Sequence, residues 1–399
     1  MDVDVDPGRP QLVSRMRGFG TTIFAEMTAL AQRTGSINLG QGFPDTDGPA
    51  AVLEAAVDAI RSGRNQYPPG PGVPELRRAV AAHQRRFYGL DVDPDTEVLV
   101  TAGATEAIAS ALLALVDVGD EVVLFEPYYD SYAAAVALAG GERRTVVLRA
   151  PDFAIDEMAL RAAFSSRTKA VVINTPHNPT GKVFTPDELA LVGQLAPEHG
   201  AVVLSDEVYE HLLFSDGPTA GRHVPVATLP GLADRTLTIS SAGKTFSVTG
   251  WKVGWVHGPA DLVDAVRAVK QFVTFVASGP FQPAVAVGLG LPDEVYAEIA
   301  SAMQLRRDLL CEGLRAAGLA PMVPAGTYFV IVDGAELGYE DGMELCRALP
   351  ALAGVVAVPV RVFHDDPKAG RSLVRFAFCK QPAVLREAAE RLSRLRAAS

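Results

Sequence analysis

Cysteine, lysine and basic charge are all in short supply in this chain, and each shortage excludes a class of protein. Three cysteines, Cys311, Cys346 and Cys379, lie far apart among 399 residues with no C-x-x-C pair. That spacing argues against a disulfide scaffold, a zinc ribbon and a dithiol redox centre, and a reduced, cytoplasmic setting is expected. No apolar run is long enough to span a bilayer, and the acidic stretch from Met1 to Pro10 lacks the apolar core of a signal peptide. Lys plus Arg is 36 against 47 Asp plus Glu, a net charge of −11 that no basic run offsets, so nucleic acid is not an expected partner. The seven histidines include no i, i+4 pair, and no metal is expected. Only 7 of the 36 basic residues are lysines, so chemistry that needs an amine has few candidates.

What is present reads as a globular α/β protein. A hydrophobic share of 48% with 21% charged residues excludes disorder for the bulk of the chain, and 399 residues suggest two or three structural units. Short apolar, β-branched runs recur at 97–101, 121–126, 169–175, 201–206, 236–240 and 252–257. Runs that are apolar on both faces predict strands of a largely parallel sheet covered by helices, with crossovers such as 105–116 and 186–195, the latter opening on Pro186. Beyond about residue 290 a long helix over 297–317 and runs at 328–332, 355–359 and 373–378 predict a smaller α+β unit. The expected organisation is a loose tail over 1–15, an N-terminal segment over 16–50 that joins the small domain, a large domain over 51–285 and a small domain over 286–399.

The polar residues fall at the carboxyl ends of the predicted strands, where open α/β sheets bind ligands. Gly103-Ala104-Thr105 follows one strand and opens a helix, which suits an anion. Tyr128 and Tyr129, His177 to Gly181, Asp206 with Tyr209, and Ser241 with Lys244 end the others, and Lys252 lies on the next run. Each has a plainer reading alone: a strand-to-helix turn at Gly103, packing at the tyrosines, a β-turn at Asn178-Pro179-Thr180-Gly181, a helix cap at Asp206. Lys244 is harder to explain away, because it sits in a small-residue loop, Ser240 to Thr245, with no carboxylate nearby in sequence. Gly243-Lys244-Thr245 imitates the end of a P-loop, but the glycine required five residues earlier is Thr238. A phosphate site, a buried carboxylate, an amide, phenols and a lysine amine together describe a pocket for pyridoxal 5'-phosphate.

At this point the segments Asn38 to Asp45 (NLGQGFPD), Asn65 to Pro68 (NQYP), Pro176 to Phe184 (PHNPTGKVF), Ser205 to His211 (SDEVYEH), Ser240 to Trp255 (SSAGKTFSVTGWKVGW) and Val374 to Lys380 (VRFAFCK) resemble the fold-type I, class I/II aminotransferases. The resemblance runs through nearly the whole chain in the family's order. It implies an aspartate aminotransferase-like fold and a pyridoxal-phosphate enzyme that shuttles an amino group between an amino acid and a 2-oxo acid in two half-reactions. It makes Lys244 the lysine that carries the cofactor and moves the substrate proton, pairs Asp206 with the pyridine nitrogen, and sets Asn178 and Tyr209 on the ring oxygen. Gly103, Ala104, Thr105, Ser241 and Lys252 would bind the phosphate, with Tyr67 reaching in from the other subunit of a homodimer, and Tyr129 would stack on the ring. Arg375 would clamp the substrate α-carboxylate, Gly42 would let the substrate approach closely, and Phe24 would line the side-chain pocket.

The segments look like the branch of kynurenine, glutamine and methionine aminotransferases and of bacterial N-succinyldiaminopimelate aminotransferases of lysine biosynthesis, with Asn65 to Gly72 and Pro280 to Ala286 nearest the last. One departure stands out: Arg361 follows Pro359-Val360, where the branch usually has a small residue. It is either a surface arginine or a second contact for an acidic substrate side chain. A carbon-sulfur β-lyase would use the same lysine and cofactor. A non-catalytic pyridoxal-phosphate regulator would need a DNA-binding module, for which the forty residues before Gln41 are too few.

Overall fold

The computed structural model describes residues 13–20 and 22–397, so most of the expected N-terminal tail lies outside the described residues. The described strands are β1 (Ile37–Asn38), β2 (Val98–Thr101), β3 (Glu121–Glu126), β4 (Glu142–Val147), β5 (Thr168–Asn174), β6 (Val202–Asp206), β7 (Thr236–Ser241), β8 (Gly254–His257), β9 (Phe329–Asp333), β10 (Val355–Val356), β11 (Val358–Pro359) and β12 (Leu373–Ala377). Seven of them form one sheet in the order β2-β8-β7-β6-β5-β3-β4. The five from β3 to β7 run parallel, while β8 is antiparallel to both neighbours. β2, β3 and β7 are buried along their whole length, as the continuous apolar runs require.

β4 has no counterpart among the predicted strands. Its sequence, ERRTVV, alternates exposed and half-buried positions because it is the edge of the sheet, so it carries charge on the solvent side and lacks the apolar run of a central strand. The crossover from β5 to β6 begins as expected: Pro186 occupies the first turn of helix Pro186–Glu198, and Thr185 and Glu188 form a reciprocal cap. Helix Ala104–Leu115 packs against helices Asp130–Ala139 and Ala260–Val273 on one face of the sheet.

The run 355–359, expected as one strand, is two. β10 pairs in parallel with β1, and β11 joins β12 and β9 in a separate antiparallel sheet. The first pairing ties the N-terminal segment to the C-terminal part of the chain, reinforced by the amide of Ala377 donating to the carbonyl of Leu39 over 2.7 Å. Helix Asp293–Ala316 packs along the terminal helix Pro382–Ser393, while helix Phe281–Leu289, which spans the expected boundary at 285, packs on helices Ala50–Arg61 and Pro74–Tyr88.

Candidate active site

A cavity of about 340 Å³ opens at the carboxyl ends of the central strands. Its floor is the turn between β2 and helix Ala104–Leu115. Gly103 caps that helix with a φ of 81°, a region where a side chain is strained, and a Cβ there would lie 3.0 Å from Lys252 Nζ. Lys252 itself has a φ of 53° just before β8, not on the strand as its sequence suggests. A Cβ on Gly254 would stand 2.7 Å from the Gly103 backbone, so both glycines are needed for the two segments to touch. The result brings the helix N-terminus, Thr105, Ser241 and one ammonium to a single wall, a donor set that suits a phosphate.

Asp206 ends β6 at the cavity and is buried. Its Oδ2 accepts from Tyr132 Oη over 2.5 Å and its Oδ1 from the Val208 amide over 3.3 Å. Burial raises its pKa to about 6, against which those two hydrogen bonds act, so the carboxylate is charged at neutral pH. Lys244 lies in the short helix Ala242–Thr245 directly after β7, and Nζ donates to Tyr328 Oη over 3.0 Å. Burial lowers its pKa to about 8, partly offset by the Asp206 carboxylate. An amine poised this near neutrality is a competent nucleophile and base.

The opposite wall is Arg375, on β12, fully buried. One guanidinium nitrogen donates to Asn178 Oδ1 over 2.9 Å and another to the Gly40 carbonyl over 3.0 Å. Nε has no partner. The group is stacked 4.0 Å from the Phe329 ring centroid, with Phe363 and Phe24 at 5.2 and 5.3 Å. Burial brings its pKa down to about 10, which leaves it a cation at neutral pH. A desolvated guanidinium with spare donors is a receptor for a carboxylate. Asn178 is set in turn, its amide donating to Asn174 Oδ1 over 2.7 Å, while Asn174 holds the Asp206 carbonyl. Gly42 has no room for a side chain, because a Cβ would meet Phe329 at 2.6 Å.

Phe24, Gly42, Gly103, Ala104, Thr105, Tyr129, Asn178, Asp206, Tyr209, Ser241, Lys244, Lys252 and Arg375 therefore line one cavity. Two expected residues do not. Tyr67 is 81% exposed on the surface, edge-on to Phe275. Arg361 pairs its guanidinium with Asp341, the cap of helix Gly342–Ala353, and does not line this cavity. Sequence reasoning also passed over Tyr132 and Tyr328, the partners of Asp206 and Lys244. Tyr132 had a signal, three residues after Tyr129 on the same helix start; Tyr328 comes from the other end of the chain and had none.

The phosphate-suited wall, the buried anion, the amide and phenol, and the lowered lysine amine fit pyridoxal 5'-phosphate group by group. Residues 34–392 match the family described as Aminotransferase class I and II. A Mycobacterium tuberculosis protein named probable N-succinyldiaminopimelate aminotransferase DapC is 53% identical, over 96% of this chain and 98% of its own length. The solved N-succinyldiaminopimelate aminotransferase from M. tuberculosis superposes with a TM-score of 0.93 over 96% of this chain and all of its own. The methionine aminotransferase of Escherichia coli is 42% identical over 96% of this chain and 98% of its own length.

Proposed function

This chain belongs to the class I and II aminotransferases, which are pyridoxal-phosphate-dependent enzymes, and from that premise we propose that it exchanges an amino group between N-succinyl-LL-2,6-diaminopimelate and 2-oxoglutarate, as in lysine biosynthesis. The convergence of Lys244, Asp206 and Arg375 on one cavity carries the aminotransferase chemistry. The 53% identity to a protein of that name supports the substrate.

When bound, pyridoxal 5'-phosphate supplies an electron sink for the pair left as the substrate Cα–H bond breaks. Asp206, anionic above about pH 6, holds a proton on the pyridine nitrogen. Asn178 and Tyr209 would hold the ring oxygen, Tyr129 would lie against the ring, and Gly103, Ala104, Thr105, Ser241 and Lys252 would hold the phosphate. Lys244 would hold the cofactor, and its lowered pKa suits its amine to take up the Cα proton. Arg375 fixes the α-carboxylate so that the Cα–H bond faces Lys244, while Phe24 and Gly42 shape the space for the side chain. The reading includes a homodimer in which Tyr67 completes the partner's phosphate site. The exposed apolar group of Tyr67, Phe272, Val273 and Phe275 supports it. A cytoplasmic location is supported by three unpaired, buried cysteines.

The test is a panel of donors, N-succinyl-LL-2,6-diaminopimelate, glutamate, kynurenine, methionine and glutamine, each mixed with the enzyme while the cofactor's visible absorbance is followed. Fast bleaching by the succinylated donor and by glutamate is expected. Faster bleaching by kynurenine or methionine would replace this substrate with theirs.

A further inference from the structure

Behind the catalytic strands, on the side of the sheet away from Ala104–Leu115, lies a buried polar compartment that the aminotransferase chemistry does not use. Helix Pro74–Tyr88 covers it and contributes His83, Gln84 and Tyr88. The turn after β6 contributes Glu210 and His211, and β7 contributes Ser240. His83 Nε2 and His211 Nε2 are 2.7 Å apart. Glu210 accepts from Tyr88 Oη over 2.7 Å through Oε2 and from Ser240 Oγ over 2.5 Å through Oε1. The ligand atoms of His83, His211 and Glu210 all lie within 4.8 Å of one another.

We propose that His83 Nε2, His211 Nε2 and the Glu210 carboxylate form a binding site for one divalent cation of zinc type. Two imidazoles with one carboxylate select zinc, cobalt or nickel over magnesium or calcium. Three protein ligands leave a fourth position for water. Nitrogens bound at about 2.0–2.1 Å in a tetrahedron stand about 3.3 Å apart, so the ring nitrogens need separate by only about 0.6 Å. Each Glu210 oxygen keeps a lone pair beyond the hydroxyl it already accepts. Burial, with the neighbouring histidines and Arg86, keeps both rings neutral and ready to ligate.

A separate observation supports the site. A ligating histidine donates its other ring N–H to an acceptor that fixes the tautomer. Gln84 Oε1 is buried without a partner among the described residues, while Gln84 Nε2 lies 3.3 Å from His83 Nδ1. Turning that amide over would present Oε1 to Nδ1–H, the acceptor a ligating imidazole needs. His211 is the one ligand of the three that is only partly buried. The cation would tie helix Pro74–Tyr88 to the segment carrying Asp206 and Tyr209, and so would stabilise the cofactor pocket without touching it.

The test uses untagged holoenzyme dialysed free of metal, titrated with zinc against a chromogenic chelator and followed by thermal unfolding. Support is about one equivalent bound per chain, a melting temperature raised by a few degrees, and loss of both effects in His83→Gln and His211→Gln. No binding and no shift, or equal binding by both variants, overturns it. Should the variants fail to fold, cobalt(II) on the parent protein decides: the intense visible bands of a four-coordinate ion support the site, and the weak bands of the hydrated ion refute it.

Discussion

Lys244 Nζ donates to Tyr328 Oη over 3.0 Å, and that hydroxyl donates to the Gly42 carbonyl over 2.6 Å, so one phenol joins the reactive amine to the loop that lines the substrate pocket. Since its proton is committed to Gly42, Tyr328 can only accept from Lys244, which aims the amine without competing for its lone pair. Tyr328→Phe is expected to lower kcat about 3- to 10-fold, the size of one ordinary hydrogen bond, with KM nearly unchanged and cofactor retained. Steady-state kinetics with an α-deuterated donor tests this, and the isotope effect should grow as proton transfer becomes slower. An unchanged kcat and isotope effect would contradict the aiming role.

Lys244→Ala is expected to abolish transamination, by at least about 10²- to 10⁴-fold, while cofactor stays bound non-covalently. Borohydride treatment and mass measurement check the second half: parent enzyme gains the cofactor's mass, the variant does not. Turnover that survives the substitution would move the base elsewhere.

The same lysine sets a pH dependence in the cofactor-free protein. Its folded pKa of about 8 lies below the ordinary 10.5, so between those values the unfolded chain binds more protons than the folded one and stability from this group rises with pH. Below about pH 8 burying the ammonium costs stability in full. Lys244→Met apoprotein should therefore melt above parent apoprotein at pH 7, and the gap should narrow toward pH 10. A gap that stays constant with pH would show that the lysine is not buried as a charge.

Arg375→Lys keeps the cation and loses the planar fork and its stacking on Phe329. A fall in kcat/KM of about 10- to 100-fold is expected, common to every amino-acid donor because all share the α-carboxylate. A loss confined to some donors would place the contact on the side chain instead.

Arg361→Ala removes a partner of the helix cap Asp341. A small drop in stability, about 0.2–1 kcal/mol, with equal changes for acidic and neutral donors, is expected. A selective rise in KM for acidic donors would restore Arg361 as a substrate contact.

Much of the site was legible because the chemistry sits in local segments. Asp206 and Tyr209 share one strand end, and Ser241, Lys244 and Lys252 surround the next, so strand recognition alone lined them up on one edge of a sheet. What escaped were pairings across the chain. Arg361 pairs with Asp341, 20 residues away in sequence, which no local motif announces. His83 and His211 show no ligand spacing, and only the packing of helix Pro74–Tyr88 behind β7 sets their rings 2.7 Å apart. β4 escaped because an edge strand need not be apolar.

The sequence by itself determined the mostly parallel sheet, the cofactor and which residues line the cavity, because periodicity, strand-end glycines and short motifs act over a few residues. The tertiary structure decided which groups are charged and which are aimed. Burial shifts Asp206 and Lys244 toward neutrality, Tyr328 comes 84 residues along the chain to meet Lys244, and aromatic rings from three distant segments strip water from Arg375. Desolvation depends on everything that surrounds a group, and that is fixed only when distant segments pack.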